Sequence, residues 1–232
     1  MMGGLKAPRN ASYDNITLSD LLTTIADRHG YQPVIANELA SKYYVHVDQR
    51  SQSDIDLLTT KARELGAICK PTGKRLCILS EGASKSINTK EKTEKPLPVL
   101  PINAKAEGTY VNARTVGKNE YGAVKAYWQG ADDSSKDSVS VGGGEPVYEM
   151  SDIYADHQQA VDAVGAKWAH LKRGGKELNI ERELDVAYAA ERTVNLFNHR
   201  HAGKYVIKSA THVLGGKVST TTLTCTLPTT KK

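Results

Sequence analysis

Apolar residues recur at helical spacing in three stretches of the chain. Leu18, Leu21, Leu22 and Ile25 form one stripe. Ile55, Leu58, Ala62 and Leu65 form a second, and Val161, Val164, Trp168 and Leu171 a third. Residues three and four apart share a helix face, so each stripe predicts an amphipathic helix with one buried side. The flanking residues agree. Thr17 with Asp20, Ser53 with Asp56, and Asp156 with Gln159 have the spacing of N-caps, in which a side-chain oxygen accepts from N–H groups left open at a helix start. Gly30, Gly66 and Gly174-Gly175 stop the three helices, and Lys172-Arg173 complement the negative end of the third.

Strand-like runs surround these helices. Residues 43–47, 67–70 and 75–79 are candidates in the first third, the last two around the hairpin signal Pro71-Thr72-Gly73. Later candidates are residues 109–116, 123–129, 177–181, 193–197, 204–214 and 217–227. Residues 1–14 lack periodicity and read as an extended lead-in. A loop runs through Pro33, and residues 132–144 read as a flexible loop ending in three glycines. Residues 83–105 change character: Lys90-Glu91-Lys92-Thr93-Glu94-Lys95 alternates in charge, and Pro96, Pro98 and Pro101 follow. That is a linker, solvated first and then stiff and extended. The expected fold class is α+β. A small α/β unit at 15–82 and a linker at 83–105 precede a β-barrel-like domain at 106–232 with one inserted helix.

Gly215-Gly216 suits a two-residue hairpin turn, where positive φ is required. Pairing outward from it sets Val213 opposite Val218 and Thr211 opposite Thr220. One face then carries Tyr205, Ile207 and Val213 beside Thr220, Thr222, Thr224 and Thr226. The other carries Val206, Ala210 and Leu214 beside Leu223, Cys225 and Leu227. Neither face is cleanly polar. Two explanations stand: a barrel strand with a core inside and another subunit outside, or a bulge that shifts the register midway.

Composition narrows the function classes without selecting one. The 232 residues carry 31 Lys plus Arg against 26 Asp plus Glu, and an excess of +5 is too small and scattered for a dedicated nucleic-acid binder. No run of 18 apolar residues occurs, so no membrane-spanning helix is expected. The first residues lack the apolar core of a secretory signal, and the sequons at Asn10 and Asn15 are read as coincidental. Three cysteines, Cys69, Cys77 and Cys225, without a C-x-x-C pair indicate neither a disulfide framework nor a zinc site, and fit synthesis in a reducing cytoplasm.

Each candidate for chemistry has a plainer explanation. His199 and His201 would share a strand face and could hold a metal, but no third ligand has a recognisable spacing, and a turn explains the segment. Gly142-Gly143-Gly144 follows no strand and precedes no Gly-Lys-Ser/Thr, and Gly174-Gly175-Lys176 follows a helix where a phosphate loop precedes one. Ser134, Ser135 and Ser138 lack a nucleophile-elbow context, and Asp132-Asp133 reads as a solvated pair. His46 and Asp48 are structural hydrogen-bonders in the absence of a nucleophile, and Trp128 and Trp168 belong to apolar patterns as core. No catalytic residue, cofactor site or metal site is assigned.

An ordered set of short matches runs along the chain from about residue 6. His46-Val47-Asp48-Gln49, Ser53-Asp54, Leu57-Leu58-Thr59 and Ala62, with Gly66 and a hairpin ending in Leu76, resembles a segment of the late control gene D proteins of contractile-tailed temperate phages. Tyr121-Gly122-Ala123-Val124 with Ala126 and Trp128 is similar to their next block. So are Tyr154-Ala155, Ala166-Lys167-Trp168, Leu171, Arg173-Gly174 and the hairpin at 205–227. No single motif is diagnostic; the order is what is specific.

The resemblance implies a tail baseplate hub protein, similar in fold to the hub part of type VI secretion spike proteins. Its role would be mechanical, with no catalysis and no cofactor. Expected partners are further copies of itself in a trimeric ring, the tail tube protein above and the central spike protein below, within the virion, with synthesis in the host cytoplasm. No nucleic-acid binding is expected. The family usually carries about a hundred further residues at the N-terminus, forming a first β-barrel, so a separate chain with that barrel is a further expected partner. Lys61 stands where the family usually has an apolar helix residue, which predicts a weaker packing face, and the 132–144 loop is short where some relatives carry a long basic insertion. The alternative function is a cell-wall glycan-binding module, for which Tyr31, Tyr43 and Tyr44 are the candidate aromatics. A cell-wall hydrolase ranks third, for want of a catalytic constellation.

Overall fold

The computed structural model describes residues 4–88, 93–115, 121–130, 135–174, 176–215 and 218–228. After a 3-10 turn (Gly4–Lys6), β1 (Pro8–Thr17) runs directly into α1 (Leu18–His29). Thr17 ends the strand and caps the helix, its Oγ1 accepting from the Asp20 N–H at 3.1 Å. Leu18, Leu21, Leu22 and Ile25 are fully buried, and Gly30, at φ +69°, closes the helix. β2 (Gln32–Ile35), the short α2 (Asn37–Ala40), β3 (Tyr43–Ser53) and α3 (Asp54–Glu64) follow. Ser53 repeats the device of Thr17, its Oγ accepting from the Asp56 N–H at 3.3 Å. β4 (Ala67–Thr72) and β5 (Arg75–Ser80) form the expected hairpin, and β2 adds in parallel to β5. Pro33 is therefore in a strand, at the sheet edge where a missing N–H is tolerated.

Residues 8–14 are not an unpaired lead-in. They belong to β1, which pairs antiparallel with β3 from Pro8↔Ser53 to Thr17↔Tyr43. The half-buried positions are Arg9, Ala11 and Tyr13. Period two is present, but a cation, a methyl group and a phenol carry it, so hydrophobicity alone does not reveal it. Lys61, expected to weaken α3, pairs with Glu64 at 3.0 Å and holds its ammonium 5.2 Å from the centroid of the buried Tyr44 ring. One core of Leu5, the α1 stripe, Tyr44, Val47, Leu57, Leu58, Leu76 and Ile78 unites these elements.

The segment expected as a linker is partly paired. β6 (Lys85–Asn88) and β7 (Thr93–Pro96) form a two-stranded hairpin, with Lys85 Nζ 2.7 Å from Glu94 Oε2. Lys90, Glu91 and Lys92 lie outside the described residues. β8 (Leu100–Asn103) already belongs to the next sheet. With β9 (Tyr110–Thr115), β10 (Ala123–Trp128), β11 (Asp137–Gly142), β12 (Val147–Tyr154), α4 (His157–Gly174), β13 (Lys176–Glu183), β14 (Thr193–Phe197), β15 (Gly203–Val213) and β16 (Thr220–Thr226), it completes the chain.

The architecture is mixed α+β with a β-rich second part. A six-stranded sheet, in the order β8-β14-β15-β16-β13-β9, curls as a half-barrel around Ile102, Leu178, Ile180, Leu196, Tyr205, Ile207, Leu223 and Cys225. Among the described residues no pairing joins β8 to β9, so the sheet is open. Between β9 and β13 the chain inserts more than the one expected helix. A separate sheet, β11-β10-β12, packs with α4 around Val124, Ala126, Tyr154, Ala160 and Val164. Residues 137–142, expected within a flexible loop, are β11: Val139 and Val141 alternate with serines, and the flanking glycines mask the pattern. β12 goes unrecognised because a register shift opposite Lys125 to Tyr127 interrupts its alternation. Asp156 caps α4, accepting from the Gln159 N–H at 2.8 Å. The helix also joins the two parts of the molecule, through Lys42–Asp162 at 2.5 Å and an ion pair between Arg173 and Glu81.

The β15–β16 register settles the question left by the two mixed faces. Val213 pairs with Thr220 and Thr211 with Thr222, two residues from the expected register, so the connection is longer than a two-residue turn. The register then shifts between Ile207 and Ser209, leaving Lys208 as the extra residue. This bulge transfers Tyr205 and Ile207 to the face of Ala210, Leu223 and Cys225, where both are buried, while Val213 turns out to solvent. Gly215 has φ +103° and open space where a Cβ would project; Gly216 and Lys217 lie outside the described residues. Gly215→Val is therefore expected to cost backbone strain alone, about 1–3 kcal/mol. A denaturant midpoint equal to that of the parent would contradict this.

Candidate functional site

The six-stranded sheet has one end at which β13 and β15 finish and β9 and β16 begin, because the four strands are antiparallel neighbours. Five large apolar side chains stand uncovered there: Tyr110 (71% exposed), Val186 (75%), Val213 (50%), Leu214 (76%) and Val218 (65%). Four of the five follow from local structure. The bulge sets the parity that turns Val213 outward. Leu214 and Val218 flank the connection. Val186 rides on a loop held to the hairpin, the Leu184 N–H donating to Ser219 O at 3.1 Å and the Asp185 N–H to Thr221 Oγ1 at 3.0 Å. Thr221 is fully buried, and its hydroxyl also meets a His212 ring nitrogen at 2.9 Å, so the loop is clasped. Behind it, buried Tyr188 donates to Pro101 O at 3.0 Å and accepts from Arg182 Nη1 at 2.7 Å. The clasped loop and hairpin thus leave five apolar groups uncovered at one end of the sheet. Single exposed apolar residues are ordinary, but a group gathered at one place marks an interaction surface.

The groups with chemical potential are dispersed. The His199 and His201 rings are 5.5 Å apart, but His199 Nδ1 accepts from the His201 N–H at 3.2 Å, which makes the segment a self-bonded turn. His46 stands between Asp14 at 2.5 Å and Asp48 at 3.0 Å on the exposed face of β1 and β3, and Arg50 holds Asp48 in turn. Hydrogen bonds from His46 to Asp14, then to Asp48, raise the imidazole above its ordinary pKa. Burial lifts the thiols of Cys69 and Cys225 to about 12, far from the range of a reactive thiolate. Trp128 and Trp168 pack against the core of β10, β11, β12 and α4. Tyr31 packs against the first core, to which Tyr44 belongs; Tyr43 and Tyr44, without Tyr31, line a common cleft. Asp132, Asp133 and Ser134 lie outside the described residues. Among the described residues, no three His, Cys, Asp or Glu side chains lie together as metal ligands would.

The tightest polar cluster went unnoticed in the pattern of residues. The Asp54 side chain is wholly buried at the first turn of α3 and meets Gln49 Nε2 at 2.9 Å, Arg28 Nη1 at 3.1 Å, His29 Nε2 at 2.7 Å and Arg9 Nε at 3.3 Å. Burial pushes its carboxyl up, and the hydrogen bonds from Gln49, His29 and Arg28 outweigh that, leaving it below the usual carboxylate range. No substrate reaches a side chain so enclosed, so its role is to hold elements together. Its sequence signals are its place just after the Ser53 cap and its membership, as Ser53-Asp54, of the ordered matches.

No protein-family model matches the chain. Two curated relatives do. The chain is 23% identical to the probable baseplate hub protein of Escherichia phage 186 over an alignment of 223 residues, covering 78% of this chain and 56% of that protein. It is 22% identical to the probable baseplate hub protein of Escherichia phage P2, covering 77% and 55%. The chain thus spans about half the length of the curated relatives it matches. Among solved structures, the 43 kDa tail protein of prophage MuSo2 from Shewanella oneidensis superposes with a TM-score of 0.69 at 10% identity, over 98% of this chain and 71% of that one. The tail protein from Neisseria meningitidis MC58 gives 0.70 at 11% identity, over 97% and 72%. At such identities these superpositions speak for the fold, and the sequence matches speak for descent. The chain is a homologue of the probable baseplate hub proteins of phages 186 and P2 and has the fold of phage tail proteins.

Proposed function

We propose that this chain is a structural, non-catalytic component of a phage tail baseplate hub, joining the tail tube to the central spike within a trimeric ring. The observation that carries this reading is the match to two baseplate hub proteins over more than three quarters of the chain. The apolar sheet end supports it, since a hub subunit must present surface to its neighbours. In a cyclic trimer every contact joins two different patches, one from each of the two neighbouring subunits. An open sheet with an apolar end and, among the described residues, unpaired edges at β8 and β9 provides unlike surfaces of that kind.

Removing the gene is expected to leave tails without complete baseplates, seen by electron microscopy of negatively stained particles. Intact infectious particles that lack the chain would overturn the reading. A double variant, Val213→Asp with Leu214→Asp, refines the test. Both side chains are at least half exposed, so the fold should change by no more than about 0.5 kcal/mol, as at ordinary surface positions. Incorporation into tails, quantified by immunoblot of purified particles, should fall at least tenfold. Incorporation at the parent level would exclude the sheet end as an assembly surface.

A further inference from the structure

An edge strand carries a row of unpaired N–H and C=O groups and invites a further strand, unless proline, charge or a bulge interferes. Among the described residues, every sheet edge but one has such a device. β1 has Pro8 and a register shift after Arg9, and β3 has His46, Asp48 and Arg50. β2 contains Pro33, β4 contains Lys70-Pro71, and the β6–β7 hairpin contains Lys85 and Pro96. β8 has Pro101, β9 has Arg114, and β12 has Glu149, Asp152 and a register shift. β11 differs. After Asp137 it reads Ser138-Val139-Ser140-Val141-Gly142, with no proline, charge or bulge. It pairs in unbroken register with β10, and among the described residues no strand pairs with its other side.

The side chains say which strand fits that edge. Val139 and Val141 pack at the border of the core beneath α4, while Ser138, Ser140 and Gly142 are exposed. Residues directly opposite one another in a sheet share a face. An added strand must therefore alternate small polar with apolar residues and carry no charge along 138–142. β11 has this pattern itself. A second copy, antiparallel and related by a two-fold axis through Ser140, sets Val139 opposite Val141 and Ser138 opposite Gly142, in both directions. The axis is perpendicular to the sheet, so α4 of both copies stays on one face and valine meets valine. Asp137 and Lys136 fall beyond the paired span, opposite Gly143 and Gly144.

We propose that β11 pairs antiparallel with β11 of a second copy of the chain, joining two three-stranded sheets in the order β12-β10-β11-β11-β10-β12. This goes beyond the hub reading and does not rest on it: the contact is two-fold, distinct from a three-fold ring, and is read on the purified chain. One short strand makes a smaller contact than a standard protein interface, so the dimer is weak and concentration-dependent.

Analytical ultracentrifugation of the full chain over a concentration series is expected to show a monomer–dimer equilibrium. Hydrogen exchange should show protection at 138–142 that grows with concentration. Ser138 and Ser140 are exposed, so lysines there should leave the melting temperature unchanged. Like charges facing across a strand pair are unfavourable, so Ser138→Lys with Ser140→Lys should weaken the dimer about tenfold. Ser138→Glu with Ser140→Glu should do the same, and a mixture of the two variants should form a heterodimer tighter than either alone. A parent that stays monomeric at every concentration would overturn the proposal. So would equal dimerisation by the parent and the lysine variant, or a mixture that binds no tighter than its components. Protection at 138–142 that persists in the lysine variant would place a different strand on the edge and also overturn it. Loss of the dimer in Val213→Asp with Leu214→Asp, with the lysine variant unaffected, would assign association to the apolar sheet end instead.

Discussion

Replacing Asp54 with alanine is expected to cost about 3 kcal/mol of folding free energy, at the lower end of the range for removing one partner from a buried charge cluster. The carboxylate is fully buried, hydrogen-bonded to Gln49, Arg28 and His29, and within ion-pair range of Arg9 Nε at 3.3 Å. Without it, three potentially cationic groups and an amide face one another across a void. The cost falls short of the top of the range because the Arg9 and Arg28 side chains stay 34% and 28% exposed and can draw in water. The geometry explains why the cluster forms at this place. α1 ends with Arg28 and α3 begins with Asp54, so a cation lies at a negative helix end and an anion at a positive one. β1 and β3 contribute Arg9 and Gln49, which makes Asp54 the junction of two helices and a ribbon. Urea unfolding followed by circular dichroism would measure the loss; a change below about 1 kcal/mol would show that the cluster is incidental.

The same group gives the pH dependence a sign. The folded-state pKa of Asp54 lies below its unfolded value of about 3.9. Its contribution is therefore complete above about pH 4 and is lost as pH falls through the folded pKa. Stability of the parent should drop on that acid limb, and Asp54→Asn should flatten it. Parallel acid limbs for the two proteins would contradict the assignment.

What was legible in the sequence divides along physical lines. The three long helices begin where Thr17, Ser53 and Asp156 lead one to expect, because a cap and its stripe are local, within one or two turns. Strand identity survived where alternation was apolar, as at 193–197, and failed where other chemistry carried it, as with Arg9, Ala11 and Tyr13 in β1. Register was legible only as an alternative, since the mixed faces of the last hairpin admitted a bulge midway without placing it. The extra residue at Lys208 moves Tyr205 and Ile207 to the face opposite Val213, and nothing in the composition of 204–214 marks its position. The apolar sheet end inherits that difficulty. Its exposed members are Val213, Leu214 and Val218 without Tyr205 and Ile207, and Val186 and Tyr110 join them only through strand order. The Lys42–Asp162 ion pair is further from reach, since its partners are 120 positions apart. The ordered matches to hub proteins, by contrast, were legible, because they depend on sequence order and not on which face a side chain takes.

Gly142→Ala is expected to cost about 4 kcal/mol and to unfold the β10–β12 and α4 unit ahead of the rest of the chain. Two effects add. Gly142 has φ +99°, where a side chain brings about 1–3 kcal/mol of strain. Its added Cβ would also lie 2.5 Å from Gly122 O and 2.8 Å from Trp168 Cη2, and overpacking of that kind costs a further 1–3 kcal/mol or so. Neither neighbour can withdraw cheaply. Gly122 O accepts from the Gly143 N–H at 3.0 Å and the Gly122 N–H donates to Pro146 O at 2.8 Å, while Trp168 packs against the unit's core. Gly122 is under the same constraint from the other side: its own Cβ would lie 2.5 Å from Gly144 C and O. This crossing of two backbones gives a physical reason for glycine in the Tyr121-Gly122-Ala123-Val124 block. Gly143 provides the control, since nothing lies within 4 Å of its Cβ position, and Gly143→Ala should be neutral within about 0.5 kcal/mol. Tryptophan fluorescence isolates the effect, because Trp128 and Trp168, the two tryptophans of the chain, both border this core. Thermal melts followed by fluorescence should shift strongly for Gly142→Ala and Gly122→Ala and not for Gly143→Ala. Equal shifts in all three, or none, would mean that the backbones do not cross as closely as described.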